Sequence, residues 1–189
     1  MIFKACELLY NREEPFLNFH EGYGKNFLIK NKKLLGINFN SGKRWQSKSW
    51  SKEQVKRLIE LVNQNYEVIL LGGKSEEKII NEIKQELNRE GIIIFSNDFN
   101  NSIKEFASLL NICDVVITTD SLALHVATSL KKPVIALFFS TPEWEIESYG
   151  GIKKVQSPLF EKYFFANDYN EELANSIYAS EVFNLLNSF

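Results

Sequence analysis

Two stretches combine side chains whose types and spacing suit the binding of an anion. The first is Asn38-Phe39-Asn40-Ser41-Gly42-Lys43-Arg44-Trp45-Gln46-Ser47-Lys48-Ser49-Trp50, which sets small hydrogen-bonding residues, one glycine and two adjacent cations side by side. Backbone amides in such a loop can wrap an anion while Lys43 or Arg44 adds positive charge. Taken alone, the same loop reads equally well as a solvated surface turn whose tryptophans anchor the helix that follows. The second stretch, Thr118-Thr119-Asp120-Ser121-Leu122-Ala123-Leu124-His125, opens a helix at the end of an apolar run. The unpaired amides and positive dipole end of a first turn suit a phosphate. His125, one of two histidines, sits one turn further and is placed to donate to the same anion. The competing reading makes Asp120 an N-cap and His125 a hydrogen-bonded core residue, the commoner arrangement for an isolated pair. Glu77 suits a ribose hydroxyl, but a solvated acid near a helix N-terminus accounts for it as well.

Other chemistries lack their signatures. Gly72-Gly73-Lys74-Ser75 falls short of a phosphate-binding GxxxxGK[ST] loop, which needs glycine where Val68 stands. No strand is followed by GxGxxG, which argues against a dinucleotide oxidoreductase, and no acidic pair follows the first strand, which disfavours a phosphoryl-accepting receiver. Cys6 and Cys113 lie far apart, with no CxxC and no Cys/His cluster. The expectation is therefore no metal, no cofactor and no disulfide, in a reducing compartment.

The elements that must position these residues follow from pattern. With 44% hydrophobic and 13% aromatic residues the chain has ample material for a packed core. A formal net charge of −2 argues against a partner held by many phosphates, so no nucleic acid is expected. No apolar run approaches the ~20 residues of a membrane span, and the N-terminus lacks a signal-peptide layout. A cytoplasmic domain is expected, at most with peripheral contact at the inner face of the membrane. From Leu34 onward short apolar runs alternate with helical periodicity: strands at 34–38, 67–71, 92–95, 115–118 and 134–138, and helices from Ser51, Ser75, Ser102 and Ser121, with a last helix over 171–186. Ser51 with Gln54 reads as a capping box. Continuous rather than alternating apolar strands imply a sheet covered on both faces. The fold expected is α/β, a doubly wound parallel sheet, with its ligand beyond the carboxyl ends of the strands. Residues 1–33 read as a linker or arm rich in exposed aromatics, and residues 34–189 as the domain.

With these residues in place, a family comes into view. Gly36-Ile37-Asn38, Gly42-Lys43-Arg44-Trp45 with Lys48 and Trp50, Leu70-Leu71-Gly72-Gly73, Thr119-Asp120-Ser121-Leu122-Ala123-Leu124-His125, Pro133-Val134-Ile135-Ala136-Leu137-Phe138, Thr141-Pro142 and Glu145-Ile146-Glu147 occur in the order seen in heptosyltransferase-like glycosyltransferases of family 9. The chain resembles that family over roughly residues 12–155. It departs from the pattern at Phe39-Asn40 (more usually Pro-Gly), at Gln46 (more usually proline) and at Phe139-Ser140 (more usually Gly-Pro). The resemblance implies the C-terminal, donor-binding Rossmann-like half of a GT-B fold. The activity it implies is transfer of a sugar from a nucleotide carrier, an ADP-sugar being favoured and ADP-heptose one candidate, to a lipopolysaccharide or other cell-surface glycan. By the same resemblance Lys43 meets the donor diphosphate; Asp120, Ser121, Leu122 and His125 lie beside phosphates and sugar; Asn40 and Ser41 belong to the first loop; Glu77 holds the ribose; and Asn101 lies near the nucleobase. The family's catalytic base belongs to an N-terminal half, which also carries the acceptor, so no catalytic residue is expected in this segment. The alternative is a non-catalytic nucleotide-binding or interaction module. A homodimer is expected through an inner edge with Trp45, Phe139, Trp144, Phe16 and Phe19.

Overall fold

The computed structural model describes residues 32–148 and 151–189. The arm expected over residues 1–33, with Phe16 and Phe19, lies outside the described residues except for its last two positions. The sheet has six parallel strands: β1 (Lys33–Asn38), β2 (Tyr66–Leu70), β3 (Phe95–Ser96), β4 (Val115–Thr119), β5 (Val134–Phe138) and β6 (Ile152–Gln156). Their order is β3-β2-β1-β4-β5-β6, so the chain reverses its winding between β1 and β4, and a crevice opens there beyond the strand ends.

The helices are α1 (Lys52–Val62), α2 (Glu77–Arg89), α3 (Ile103–Ile112), α4 (Leu122–Ser129), α5 (Glu171–Ala174) and α6 (Ala179–Leu186). They explain why the strands are apolar throughout. Leu35, Ile37, Ile117, Ile135 and Leu137 pack with Val55, Leu58, Ile59, Ile80, Ile83 and Val182 on one face. Leu34, Val116, Val134, Ala136 and Phe138 pack with Leu109, Leu110, Leu124 and Ala127 on the other. Alternate residues of one strand thus enter two different cores. This is the Rossmann-like doubly wound α/β sheet expected from the pattern.

Three elements differ from the expectation, each for a local reason. The third strand is not Ile92–Phe95; only Phe95 and Ser96 pair, with Ile69 and Leu70. The amide of Ile92 is instead spent on closing α2, donating to the Leu87 carbonyl at 2.9 Å, while Gly91 donates to Asn88 at 3.1 Å. With Gly91 at φ +80°, this is a Schellman close, and Ile93 is left 71% exposed. The sixth strand, unforeseen, is an edge strand whose Lys153 and Lys154 suit the sheet's open margin. The last helix is broken, because the intervening chain bonds to the start of α1. Trp50 Nε1 donates to the Ile177 carbonyl at 2.9 Å, and the Ala179 amide donates to Gln54 Oε1 at 2.8 Å. Gln54 is therefore turned away from the capping box expected of it. Ser51 still caps α1 by accepting from the Gln54 amide, and the reciprocal box forms at Ser102 and Glu105 instead. Phe139 is fully buried, so it cannot face a partner across the inner edge. Among the described residues no helix is long and apolar enough to cross a membrane.

Candidate functional site

The crevice is organised by Asn38, the last residue of β1. It is a polar residue at the end of an apolar strand and it is buried, so each of its polar atoms needs a partner. Its Nδ2 donates to the Leu71 carbonyl at 2.9 Å, tying β1 to the end of β2. Its Oδ1 accepts from Ser121 Oγ at 2.7 Å and from Thr118 Oγ1 at 3.3 Å, tying β1 to β4 and the start of α4. Ser121 in turn caps α4, its Oγ accepting from the Ala123 amide at 3.2 Å. Ser41 closes the same corner from the first loop. Its Oγ lies 3.2 Å from Thr119 Oγ1 and donates to the Asp120 carbonyl at 3.2 Å.

Asp120 does not cap the helix. Its Oδ2 receives Lys48 Nζ at 2.7 Å and Thr141 Oγ1 at 2.8 Å, with the two charged side chains only 14% and 15% exposed. The carboxylate is thereby neutralised beside a helix N-terminus whose amides attract anions. The Lys48 ammonium also lies 5.2 Å from the centre of the Trp45 ring, with the Arg44 guanidinium 5.7 Å from it. Lys48 belongs to the Gly42-Lys43-Arg44-Trp45 motif region, but spacing does not reveal its partner, because 72 residues separate it from Asp120.

The opposite wall comes from β2, β3 and the loop before α3. Asn97 grips Gly72 by both backbone groups: the Gly72 amide donates to Asn97 Oδ1 and Asn97 Nδ2 donates to the Gly72 carbonyl, each at 2.9 Å. A side chain at Gly72 would stand 2.8 Å from both Glu76 Cβ and Ile80 Cδ1, so only glycine lets α2 start this close to the crevice. Glu76 folds back to accept from the Gly73 amide at 2.8 Å.

Between these walls lies a cavity of about 290 Å³. Of the residues expected at the site, it gathers Asn40, Ser41, Asn101, Ser121 and Leu122, together with Asn38, Gly72, Glu76 and the apolar Phe99, Ile103 and Phe106. Lys43 is exposed and lines an adjoining polar hollow of about 460 Å³ that shares Asn40, Gly42 and Glu76 with the first. Three expected residues line neither space. Glu77 points outward in an ion pair with Lys74 at 2.6 Å, so Glu76, one residue earlier, is the carboxylate at the cavity. Asp120 is held by Lys48, and His125 is exposed on α4 rather than buried in the core. The sequence offered no means of separating Glu76 from Glu77, since both stand at the start of one helix.

Cys113 is buried, and burial pushes its thiol up to about 12, so it remains a packed, inert side chain. Among the described residues no group of three or more His, Cys, Asp or Glu could hold a metal ion. What the site offers an incoming ligand is first-turn amides, small hydroxyls, one carboxylate and an apolar wall.

Comparison with known proteins agrees with this fold. The chain is 32% identical over 120 residues to lipooligosaccharide heptosyltransferase 2 of Campylobacter jejuni, an alignment covering 60% of this chain and 36% of the relative. It is 32% identical over 104 residues to lipopolysaccharide heptosyltransferase 2 of Salmonella typhimurium, covering 54% and 29%. The fold resembles that of Escherichia coli ADP-heptose lipopolysaccharide heptosyltransferase II, with a TM-score of 0.75 and 20% identity, covering 97% of this chain and 56% of that one. It also resembles E. coli heptosyltransferase WaaC with ADP-2-deoxy-2-fluoro heptose, with a TM-score of 0.63 and 15% identity, covering 98% and 52%. The matched segment is about a third of the sequence relatives and about half of the structural ones. Residues 9–162 match glycosyltransferase family 9 (heptosyltransferase), which takes in β1 to β6 and the cavity between them, and the chain belongs to that family.

Proposed function

We propose that this chain forms the donor side of a sugar-transferring cleft, in which the cavity at the β1–β4 switch point holds the nucleoside diphosphate of a nucleotide sugar. The observation that carries this reading is the Asn38-centred lock, which fixes Ser41 and the capped N-terminus of α4 on one wall of the cavity. The diphosphate lies over the first turn of α4, with Asn40, Ser41 and the Ser121 end of the helix around it and Lys43 reaching in from the adjoining hollow. Glu76 accepts a ribose hydroxyl, and the base lies against Phe99, Ile103, Phe106 and Leu122. The sugar projects toward His125. As the glycosidic bond breaks, negative charge grows on the departing diphosphate, and preorganised amides and cations stabilise it there.

ADP-heptose is the favoured donor and a lipopolysaccharide or lipooligosaccharide core the favoured acceptor. Support comes from the heptosyltransferase 2 relatives and from the ADP-2-deoxy-2-fluoro heptose in the WaaC structure of like fold. The base that deprotonates the acceptor hydroxyl comes from the acceptor-side half of the enzyme, since general-base catalysis needs both substrates in one cleft. Titration calorimetry of this chain with ADP, UDP, GDP and CDP tests the reading. ADP is expected to bind with a Kd on the order of 10–100 μM. No heat from any of the four at millimolar concentration would overturn it.

A further inference from the structure

We propose that the polar hollow beside the cavity is a binding site in its own right, one that takes a neutral saccharide ring against Ser49, Glu53, Tyr169 and Glu171. The inference goes beyond the nucleotide reading and does not depend on it, since this ring is a different one from the sugar carried by the donor.

The hollow, of about 460 Å³, is walled by four elements: the first loop, the start of α1, the start of α2 and the chain leading into α5. Ser49 lines it while being only 7% exposed, and its hydroxyl makes no hydrogen bond among the described residues. A hydroxyl that deep in a protein is ordinarily paired, so a polar group entering the hollow gains a partner there. Glu53 and Glu171 line the same space, and neither carboxylate has an ion pair or a hydrogen bond among the described residues. Both stand close to Tyr169. Burial first, and then their negative charges, push its hydroxyl above the ordinary value.

Charge decides the class of ligand. Glu76 is already occupied by the Gly73 amide, and Lys52 by Glu86 at 2.5 Å. That leaves Glu53 and Glu171 facing a hollow that Lys43, with no ion pair among the described residues, also lines. A phosphate would meet two like charges, and an amine would meet the Lys43 ammonium; such contacts are costly. A neutral ring with several hydroxyls meets neither penalty. It donates to the carboxylates, whose charge strengthens the bonds, and accepts from Ser49. Its C–H face covers the ring of Tyr169, which is 49% exposed and pairs an apolar body with a polar tip.

The test is a heteronuclear NMR titration of the whole chain with methyl α-D-mannopyranoside and with methyl α-D-glucopyranoside. Inorganic phosphate and ethylammonium serve as charged probes. At least one glycoside is expected to shift the amides of residues 46–53 and 169–171, with a Kd on the order of 1–10 mM. Ser49→Ala and Glu171→Gln should each weaken that binding about fivefold. Ser49→Ala breaks no hydrogen bond of the protein, so its thermal midpoint and its ADP affinity should match the wild type. No shift with either glycoside would overturn the proposal, as would unchanged sugar binding in both variants. Tighter binding of phosphate or ethylammonium at these residues would overturn it too. A parallel loss of ADP affinity in Ser49→Ala would make the hollow part of the nucleotide site and overturn its separate role.

Discussion

On the β1–α4 wall of the cavity, Asn38, Ser41, Thr118, Asp120 and Ser121 hold one another, and Lys48 and Thr141 complete the set. On the facing wall, Ile103 stands open beside a half-buried Phe99, and Asn101 Nδ2 keeps an unmade hydrogen bond. The first wall is finished before any ligand arrives, so its amides need no reorganisation to meet a developing charge. The second wall is the one that the proposed nucleotide would complete. On the proposed reading, an anion-binding half and a base-binding half are built on opposite plans across one cavity. Loss of a partner on the closed wall should therefore cost stability and affinity together.

The sharpest way to break this contrast is Lys48→Met. It strands the Asp120 carboxylate where it is only 15% exposed, and losing one partner of such a pair should cost about 3 kcal/mol in urea unfolding. ADP affinity should fall at least tenfold as the bare carboxylate repels the diphosphate. The double substitution Lys48→Met with Asp120→Asn should recover much of both losses. A double variant no better than the single one would mean that Lys48 acts by direct contact rather than by neutralising Asp120.

Gly72→Ala should follow in size. The added methyl meets Glu76 Cβ and Ile80 Cδ1 at 2.8 Å, so α2 must shift, at a cost of about 1–3 kcal/mol, and ADP binding should weaken with it. Ser121→Ala removes the cap of α4 and the 2.7 Å partner of Asn38. About 1 kcal/mol should be lost, with pyrophosphate binding reduced more than that of adenosine. Equal loss for the two ligands would blur the division between the walls.

The smallest expected effect lies away from the cavity and serves as a control. Glu86 bridges Lys52 and Lys56. Its hydrogen bonds to Lys52 and then Lys56 hold its carboxyl below the ordinary value of 4.5. The folded chain therefore binds that proton less readily than the unfolded one. The contribution is complete above pH 4.5 and is lost as pH falls through the depressed value. Glu86→Gln should flatten the stability profile in that acid window alone, by a small amount that salt reduces further, and should leave ADP binding unchanged.

Periodicity carried most of the architecture, because both faces of the sheet are covered and every central strand is apolar. It failed where backbone hydrogen bonds were claimed by something else. Ile92 reads as strand by composition but closes α2, and Ile177 reads as helix but its carbonyl accepts from Trp50. Lys153 and Lys154 concealed the sixth strand, since an edge strand needs only one protected face. At the site, the loops were legible and the partners were not. Asn38 ends the Gly36-Ile37-Asn38 motif, yet its role depends on Leu71, Thr118 and Ser121 arriving from 33, 80 and 83 residues away. Pairings of that separation leave no local trace in composition or spacing.

Amide hydrogen exchange of the chain with and without ADP tests the central claim most directly, because it reports where the ligand sits as well as whether it binds. Protection should concentrate in four segments that the fold brings together: 40–43, 72–76, 97–103 and 121–124. The surface formed by α1 and α6 should exchange at its unliganded rate. Protection confined to that surface, or spread evenly over the chain, would contradict a nucleotide site at the β1–β4 switch point.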